Sequence, residues 1–282
     1  MRRYSLLLFF LFALTSSATQ AQTPCSAADY LHRGVARFAK GDLDGAIADY
    51  DRVIARGPSG DSNDACRPAG KELEGVIINR GRSLAIIPIT AAAYHNRGLA
   101  RLAKGDWGGA IADYDRAIDI FPRFAEGYFS RGLTRYRQGE MEEAIADYSR
   151  AIEIDPGYAI AYVNRGNARK DREELDAALA DYNIAIQLDS RLALAYNNRG
   201  VIRCKRGNLD LAIADYDAAI KLDRHLAVAY NNRGFARQLK GELSRSLDDY
   251  NKAIALNPSY EAARRNREQL RSLQGQDAGP AT

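Results

Sequence analysis

Small, apolar and polar residues follow one pattern that repeats along most of the chain. Its clearest marker is a glycine that recurs at a constant interval, and the pentapeptide YNNRG ends at two of these glycines. The recurring glycines are Gly98, Gly132, Gly166, Gly200 and Gly234, so the period is 132 − 98 = 34. Gly34 begins the same pattern, and its separation from Gly98, 98 − 34 = 64, equals one period plus an insertion of 30. Self-similarity at this period predicts an array of one structural unit.

Each unit has the pattern of two amphipathic helices joined by a short turn. Apolar residues fall at helical spacing on both sides of a turn glycine such as Gly105, and glycine suits the left-handed conformation just past a helix end. The second helix has its clearest form in AIADYDRAI, at 110–118, and a proline such as Pro122 closes the unit. Small residues such as Gly98 and Ala110 allow the two helices to approach closely, so the tyrosines beside them are predicted to be core.

These features together resemble the tetratricopeptide repeat, in which an aromatic residue, a glycine, a glycine turn, an alanine, a second aromatic residue and a proline follow one another in this order. The resemblance implies an all-α, right-handed superhelical solenoid of six helix-turn-helix units. The six units are 27–60, 91–124, 125–158, 159–192, 193–226 and 227–260. The chain departs from the usual family pattern in two places, because tyrosine replaces tryptophan and arginine replaces the leucine before the glycine.

The arginine before each repeat glycine recurs together with an aspartate just before the tyrosine of the second helix. The pairs are Arg33 and Asp49, Arg97 and Asp113, Arg131 and Asp147, Arg165 and Asp181, Arg199 and Asp215, and Arg233 and Asp249. A charged residue on a partly buried face needs a partner. We therefore expect structural ion pairs that link the two helices of each unit.

The period is interrupted over residues 61–90. Residues 61–70 have the composition of a loop, and KELEGVIINRGRSLAII, at 71–87, is predicted to form a lone helix. This helix is either a degenerate unit or an extra cap over the array. At the other end, EAARRNREQLRSLQ predicts a polar-faced capping helix over 261–274, and 275–282 is predicted to be disordered.

Residues 1–21 have the pattern of a secretory signal peptide. Arg2 and Arg3 precede the apolar run Leu6–Leu14, which is too short to span a bilayer, and small residues lead to a cleavage site after Ala21. The mature chain is therefore expected in the periplasm or outside the cell. Removing Arg2 and Arg3 leaves 40 − 2 = 38 basic against 36 acidic residues, which gives no reason to expect nucleic acid or an anionic membrane as a partner.

The expected export of the chain places its three cysteines in a compartment that permits disulfides. Cys25 precedes the first unit and Cys66 follows it, and a helical hairpin brings its two ends together. A disulfide between Cys25 and Cys66 is one outcome, although spacing alone does not fix connectivity. Cys204 is then an unpaired thiol and is interpreted as a small helix residue.

Resemblance to the family implies that a ligand binds along the concave face lined by the first helices. A row of asparagines lies two residues before the repeat glycine, with His32 and Ser130 at this place in the other units, and an amide can bind a peptide backbone without selecting a side chain. Helix packing or local backbone bonding is the alternative interpretation of these asparagines. The candidate ligand-binding residues are Asn96, Asn164, Asn198 and Asn232, with neighbours His95, Asn197, Asn231, Asn167, Tyr136, Lys170 and Lys205.

This lining is polar and slightly basic, which favours an acidic or polar ligand, whereas Leu31, Val35 and Phe38 make the same face of the first unit apolar. We expect a non-enzymatic scaffold that binds an extended polypeptide in its groove, without a cofactor. The sequence contains no metal-ligand spacing, phosphate-binding glycine loop or catalytic triad motif. A self-assembling structural solenoid of the cell envelope is the alternative function.

Overall fold

The structure, a computed structural model, describes residues 26–56, 75–79 and 84–277. These segments form thirteen α-helices and one two-stranded antiparallel hairpin, so the predicted all-α class is confirmed. The chain divides into two compact units, Met1–Pro156 and Gly157–Thr282. Consecutive helix pairs from α1/α2 to α11/α12 are called repeats 1 to 6 below; the first unit holds repeats 1 to 3 and the second unit holds repeats 4 to 6.

The elements of the first unit are α1 (Ala27–Ala39), α2 (Leu43–Arg56), β1 (Gly75–Asn79), β2 (Leu84–Pro88), α3 (Ile89–Lys104), α4 (Trp107–Ile120), α5 (Ala125–Gln138) and α6 (Met141–Ile154). The elements of the second unit are α7 (Ala159–Asp171), α8 (Leu175–Leu188), α9 (Ala193–Lys205), α10 (Leu209–Leu222), α11 (Ala227–Leu239), α12 (Leu243–Leu256) and α13 (Glu261–Asp277).

Short turns with a left-handed residue separate the two helices of each repeat. Gly105 has φ 86°, and its N–H donates to the last carbonyls of α3, which closes that helix. Asp106 follows and accepts a hydrogen bond from the N–H of Gly109, so it caps the start of α4. In repeat 4 the left-handed position is held by Glu173, at φ 63°, without a glycine. The repeat geometry thus imposes this backbone conformation even on a residue that disfavours it.

The repeat glycine allows the two helices of a repeat to pack closely around a tyrosine. A Cβ atom built on Gly98 would lie 2.6 Å from Cε1 of Tyr114, so only glycine fits this place. Tyr114 and its equivalents in the other second helices are buried, as predicted for core residues. The first-helix tyrosine Tyr94 is only half-buried and lies beneath Arg97, whose guanidinium carbon is 5.2 Å from the ring centroid. This contact is a cation–π interaction that repeats along the array.

The predicted lone helix at 71–87 is wrong, because the described part of this segment is a β-hairpin. β1 and β2 pair antiparallel with Val76 opposite Ile87, and both strands contain β-branched residues, which suit a strand. Val76 and Ile87 are buried, whereas Ile86 is 57% exposed, so Ile86 and Ile87 of β2 lie on opposite faces of the hairpin. The sequence signal for a hairpin is two short apolar runs, Val76–Ile78 and Leu84–Ile87, separated by a polar segment that contains a glycine.

The hairpin also changes the interpretation of the apolar face in repeat 1. Leu31, Val35 and Phe38 are buried in one hydrophobic cluster that includes Val76 and Ile87 of the hairpin. They are therefore core residues of the first unit and do not line an open apolar groove.

The C-terminal helix α13 begins at the predicted residue but continues to Asp277, into the segment predicted to be disordered. Residues 278–282, the predicted signal peptide at 1–21, and the candidate disulfide partners Cys25 and Cys66 lie outside the described residues. Among the helices that are described, none combines the length and the apolar character that a membrane span requires.

Candidate functional site

The predicted arginine–aspartate pairs form in all six repeats. In repeat 3, Arg131 donates from Nη2 to Oδ1 of Asp147 at 2.6 Å, and Arg135 donates to the other carboxylate oxygen at 2.8 Å. The aspartates are buried, and the same bonds recur with Asp49, Asp113, Asp181, Asp215 and Asp249. Burial acts against the charge of Arg131, but hydrogen bonds to Asp147 and Asp115 raise its pKa above the ordinary value. These charges are fully engaged within the fold and are structural.

The same arginines also link neighbouring repeats. Arg131 donates from Nη1 to Asp115 of the preceding repeat, and Arg233 donates to Asp217 in the same way. Arg199 contacts the amide oxygen of Asn183 at 2.8 Å. One residue therefore connects both helices of its own repeat with the second helix of the repeat before it, within each unit.

The predicted asparagines of the second unit bind mainly to one another. Asn198 donates to Asn167 at 2.8 Å, and Asn232 donates to Asn197 at 3.1 Å, so each bond joins neighbouring first helices. Asn197 and Asn231 complete the chain by donating to Asn198 and Asn232 in their own helices. The resulting asparagine chain connects α7, α9 and α11.

The asparagine chain is closed at both ends. Asn266 of α13 donates to Asn231 at 3.0 Å, and the hydroxyl of Tyr182 donates to Asn167 at 2.8 Å. Each amide in the chain has two N–H groups and two oxygen lone pairs. Asn198 and Asn232 are half-buried and use one donor and one acceptor each, which leaves a second N–H on each amide.

The other predicted ligand residues differ strongly in accessibility. His95, Asn96, Asn197 and Asn231 are buried, so the expectation that their side chains contact a ligand directly is not supported by this geometry. His95 shares a hydrogen bond of 2.9 Å with the hydroxyl of Ser130 and packs on two aromatic rings. Burial lowers its pKa to about 4, although polar contacts with Asn96 and with the backbone of Glu126 act in the opposite direction.

The remaining candidates lie at the surface or close to it. Asn164 is half-buried and donates to the carbonyl of Ile160 one helical turn earlier, which is the local bonding considered as an alternative. Tyr136 is half-buried in α5. Lys170 forms an ion pair with Asp171 at 2.9 Å, and Lys205 forms one with Glu173. Because both lysines already have acidic partners, their charges give little support to a preference for acidic ligands.

An open cavity of about 530 Å³ lies between the first helices of repeats 5 and 6 and the capping helix α13. Its lining combines apolar and amide side chains: Val201, Cys204, Lys205, Tyr216, Asn231, Asn232, Phe235, Leu239 and Asn266. Phe235 is 44% exposed and Leu239 is 53% exposed, so they form an apolar part of the cavity rim. This volume falls within the range of ordinary ligand sites.

Asn231, Asn232 and Lys205 of this lining were predicted from the sequence, whereas Val201, Cys204, Phe235, Leu239 and Asn266 were not. The sequence offers one signal for the cavity. Two lining positions of each first helix are large in most repeats, such as Leu99 and Leu102 in repeat 2, but they are Val201 and Cys204 in repeat 5. Within the described residues, no group of three or more metal-ligating side chains occurs near the cavity or elsewhere.

Comparison with known proteins agrees with this repeat architecture. A tetratricopeptide repeat model matches residues 17–61 and 95–159, a second TPR model matches 166–203 and 202–241, and a third tetratricopeptide model matches 227–260. A search of curated proteins gives no significant match.

Several solved structures are similar to this chain. The crystal structure of MamA is 28% identical, with a TM-score of 0.53, over 57% of this chain and 94% of MamA. YrrB, described as a TPR protein with an unusual peptide-binding site, is 22% identical, with a TM-score of 0.53, over 63% of this chain and 92% of YrrB. PilF of Pseudomonas aeruginosa is 13% identical, with a TM-score of 0.68, over 86% of this chain and 97% of PilF. On the family matches along its repeats, this chain belongs to the tetratricopeptide repeat family.

Proposed function

We propose that this chain is a non-enzymatic scaffold that binds an extended segment of a partner protein along the first helices of its second unit. Membership of the tetratricopeptide repeat family supports a role in protein–protein interaction, and YrrB is described as having a peptide-binding site. The observation that carries the proposal is the open cavity, where exposed Phe235 and Leu239 lie beside half-buried Asn232. Apolar side chains and spare amide N–H groups together suit a polypeptide. Some of its side chains are apolar, and its backbone carbonyl oxygens accept hydrogen bonds.

The spacing of the helices favours an extended segment over a compact small molecule. Neighbouring helices lie roughly 10 Å apart, and an extended chain advances about 3.3 to 3.6 Å per residue. About three ligand residues therefore fall on each repeat. Asn198 and Asn232 occupy equivalent places in α9 and α11, so a segment that crosses both helices meets the same donor twice.

Site-specific photo-cross-linking tests this proposal with a matched control. A photoreactive amino acid replaces Leu239 in the cavity or Leu211 on the second helix α10, because both leucines are 53% exposed in the same unit. We expect adducts with a discrete partner from position 239 and none from position 211. The proposal is wrong if position 239 gives no adduct, or if both positions capture the same proteins.

Self-assembly is the alternative outcome of this experiment. Adducts at position 239 that contain only a second copy of the chain indicate a homotypic contact. Static light scattering on the purified protein then measures a mass that is a multiple of the monomer, and the Leu239→Glu variant returns it to the monomer. Leu211→Glu is the control that leaves the mass unchanged.

We also propose that the scaffold works in the periplasm or outside the cell, on the basis of the apolar run Leu6–Leu14 behind Arg2 and Arg3. Fractionation followed by N-terminal sequencing tests this location. The expected product is an exported chain that begins at Gln22. A cytoplasmic chain that begins at Met1 contradicts the proposal.

A further inference from the structure

The hydroxyl of Tyr216 distinguishes repeat 5 from the repeats on either side of it. The equivalent hydroxyl of Tyr182 in repeat 4 donates to the amide oxygen of Asn167 at 2.8 Å, and that of Tyr250 in repeat 6 donates to the amide oxygen of Gln238 at 2.8 Å. In both neighbours the acceptor is a side-chain carboxamide that lies on the first helix of the same repeat. Tyr216 makes no such bond among the described residues, and the pKa of its hydroxyl is raised only by burial and by the nearby Cys204 and Asp215.

The sequence explains why Tyr216 lacks an acceptor. Val201 lies one repeat period after Asn167, and Cys204 lies one repeat period before Gln238, so repeat 5 has lost the carboxamide at both places. Val201 and Cys204 pack against Tyr216, and Cys204 is smaller than the glutamine that holds its place in repeat 6. The cavity opens at this point and is lined by all three residues. It therefore occupies the place where a carboxamide lies in the neighbouring repeats.

Repeats 1 to 3 show that a missing carboxamide does not by itself make a cavity. The hydroxyls of Tyr50, Tyr114 and Tyr148 also lack a carboxamide partner among the described residues, but they are sealed from solvent. In repeat 2, Leu99 and Leu102 fill the two positions that hold Val201 and Cys204 in repeat 5. Only in repeat 5, among the described repeats, does a tyrosine without a hydrogen-bonded partner line an open cavity.

We propose that this cavity receives a neutral carboxamide side chain, an asparagine or glutamine, from the bound polypeptide segment. The proposal rests on the proposed function and names the chemistry that the partner presents to the site. The incoming carboxamide oxygen accepts a hydrogen bond from Tyr216, as Asn167 and Gln238 do for the neighbouring tyrosines. The partner thus supplies the group that repeat 5 lacks.

The charges around the cavity favour a neutral group over a carboxylate. Burial raises the pKa of Tyr216, so its hydroxyl keeps its proton and donates. Lys205 is the cation in the lining, and it is already paired with Glu173. A carboxylate in this cavity would lose its hydration without gaining an unpaired cation. The carboxamide N–H groups of such a ligand face the amide oxygens of the half-buried Asn232 and Asn266 in the lining.

Peptide display on the purified protein tests the inference. A phage-displayed library of random dodecapeptides is enriched on the wild type, and the enriched peptides are measured against four variants. Cys204→Gln restores the carboxamide of the neighbouring repeat and fills the cavity from within. Tyr216→Phe removes only the hydroxyl, Cys204→Ala keeps the cavity open without the thiol, and Leu239→Glu changes the apolar rim.

We expect the enriched peptides to share an asparagine or glutamine. Their affinity should fall at least tenfold in Cys204→Gln and about tenfold in Tyr216→Phe, which is the size of one lost hydrogen bond, and should not change in Cys204→Ala. Replacing this shared residue of the peptide by its acidic counterpart or by leucine should weaken binding by a similar factor. A melting temperature at or above that of the wild type shows that Cys204→Gln is folded.

Two results overturn the inference and separate it from the proposed function. In the first result, the enriched peptides do not bind Leu239→Glu but bind Cys204→Gln and Tyr216→Phe as tightly as the wild type. The carboxamide inference is then wrong, and the proposed function stands. In the second result, the enriched peptides share an acidic or apolar residue in place of the asparagine or glutamine, which leads to the same conclusion. A library that yields no peptide sensitive to Leu239→Glu overturns both proposals.

Discussion

The amide of Asn198 donates to the side-chain oxygen of Asn167 at 2.8 Å, and this bond joins α9 to α7. The bond belongs to the asparagine chain that ends at Asn266 in the capping helix. The chain therefore stabilises the stacking of first helices in the second unit. Its half-buried members still present spare N–H groups, so one set of residues serves both packing and the proposed ligand contact.

Replacing Asn198 tests the structural role of this chain. Asn198→Leu should lower the free energy of unfolding by about 1–2 kcal/mol, because Asn197 loses its acceptor on a partly buried surface. Asn96 is the matched control, since it holds the equivalent position in repeat 2 but its buried amide has no hydrogen-bond partner of normal geometry among the described residues. Asn96→Leu should leave the stability unchanged or raise it. Urea unfolding followed by circular dichroism measures both variants, and equal destabilisation contradicts the assignment.

Removing the charge of one buried aspartate should have a larger effect. In Asp147→Asn, Arg131 and Arg135 lose the anion that compensates them both, so we expect the free energy of unfolding to fall by about 3 kcal/mol. The control is Glu153→Gln, which affects an exposed pair with Arg150 on α6 and should leave the unfolding midpoint nearly unchanged. Urea titrations of both variants decide the matter. Similar midpoints would show that the buried pair is no stronger than the exposed one.

The stability of the first unit should depend on pH through His95. Its pKa is lowered to about 4 in the folded chain, whereas an unfolded histidine has an ordinary pKa of about 6.5. Between these values the unfolded state binds the proton and the folded state does not. Stability is therefore complete above about pH 6.5 and is lost as the pH falls toward 4, by up to about 3 kcal/mol.

Chemical unfolding at pH 7 and at pH 4.5 measures this loss. A His95→Gln variant should lose less stability than the wild type between the two pH values, because the titrating group is absent. The exposed His225 provides the control, and His225→Gln should behave as the wild type does. An equal loss in all three proteins would exclude His95 as the source.

Adding one methyl group at the repeat glycine should disrupt the packing of a helix pair. Gly98→Ala places a Cβ atom 2.6 Å from the ring of Tyr114, and overpacking of this kind costs about 1–3 kcal/mol. Gly108→Ala is the control, because a Cβ there meets nothing within 4 Å and alanine favours helix α4. Thermal melts should show a lower melting temperature for Gly98→Ala and an equal or higher one for Gly108→Ala. The opposite order would contradict the close approach of the two helices.

The repeat period determined the helix pairs without any tertiary information. The turn glycines, the repeat glycines and the apolar spacing are local signals, and each specifies backbone conformation or close approach within one repeat. The pairing of Arg131 with Asp147 could also be predicted, because a repeated charge on a partly buried face requires a partner within the same repeat. The segment at 71–87 was misassigned because its NRG motif resembled a repeat, while its two short apolar runs on either side of a glycine-containing polar segment suit a hairpin.

Tertiary structure decided what the first-helix residues do. Equivalent positions hold a buried Asn96, an Asn164 bonded within its own helix and an Asn198 that bonds to α7. These outcomes depend on the side chains that neighbouring helices present. The cavity arises in the same way, because Val201 and Cys204 beside Tyr216 are smaller than Leu99 and Leu102 at the same places in repeat 2. A repeat period fixes where side chains recur, whereas their partners come from neighbouring repeats, so burial and hydrogen bonding are settled only when the helices pack.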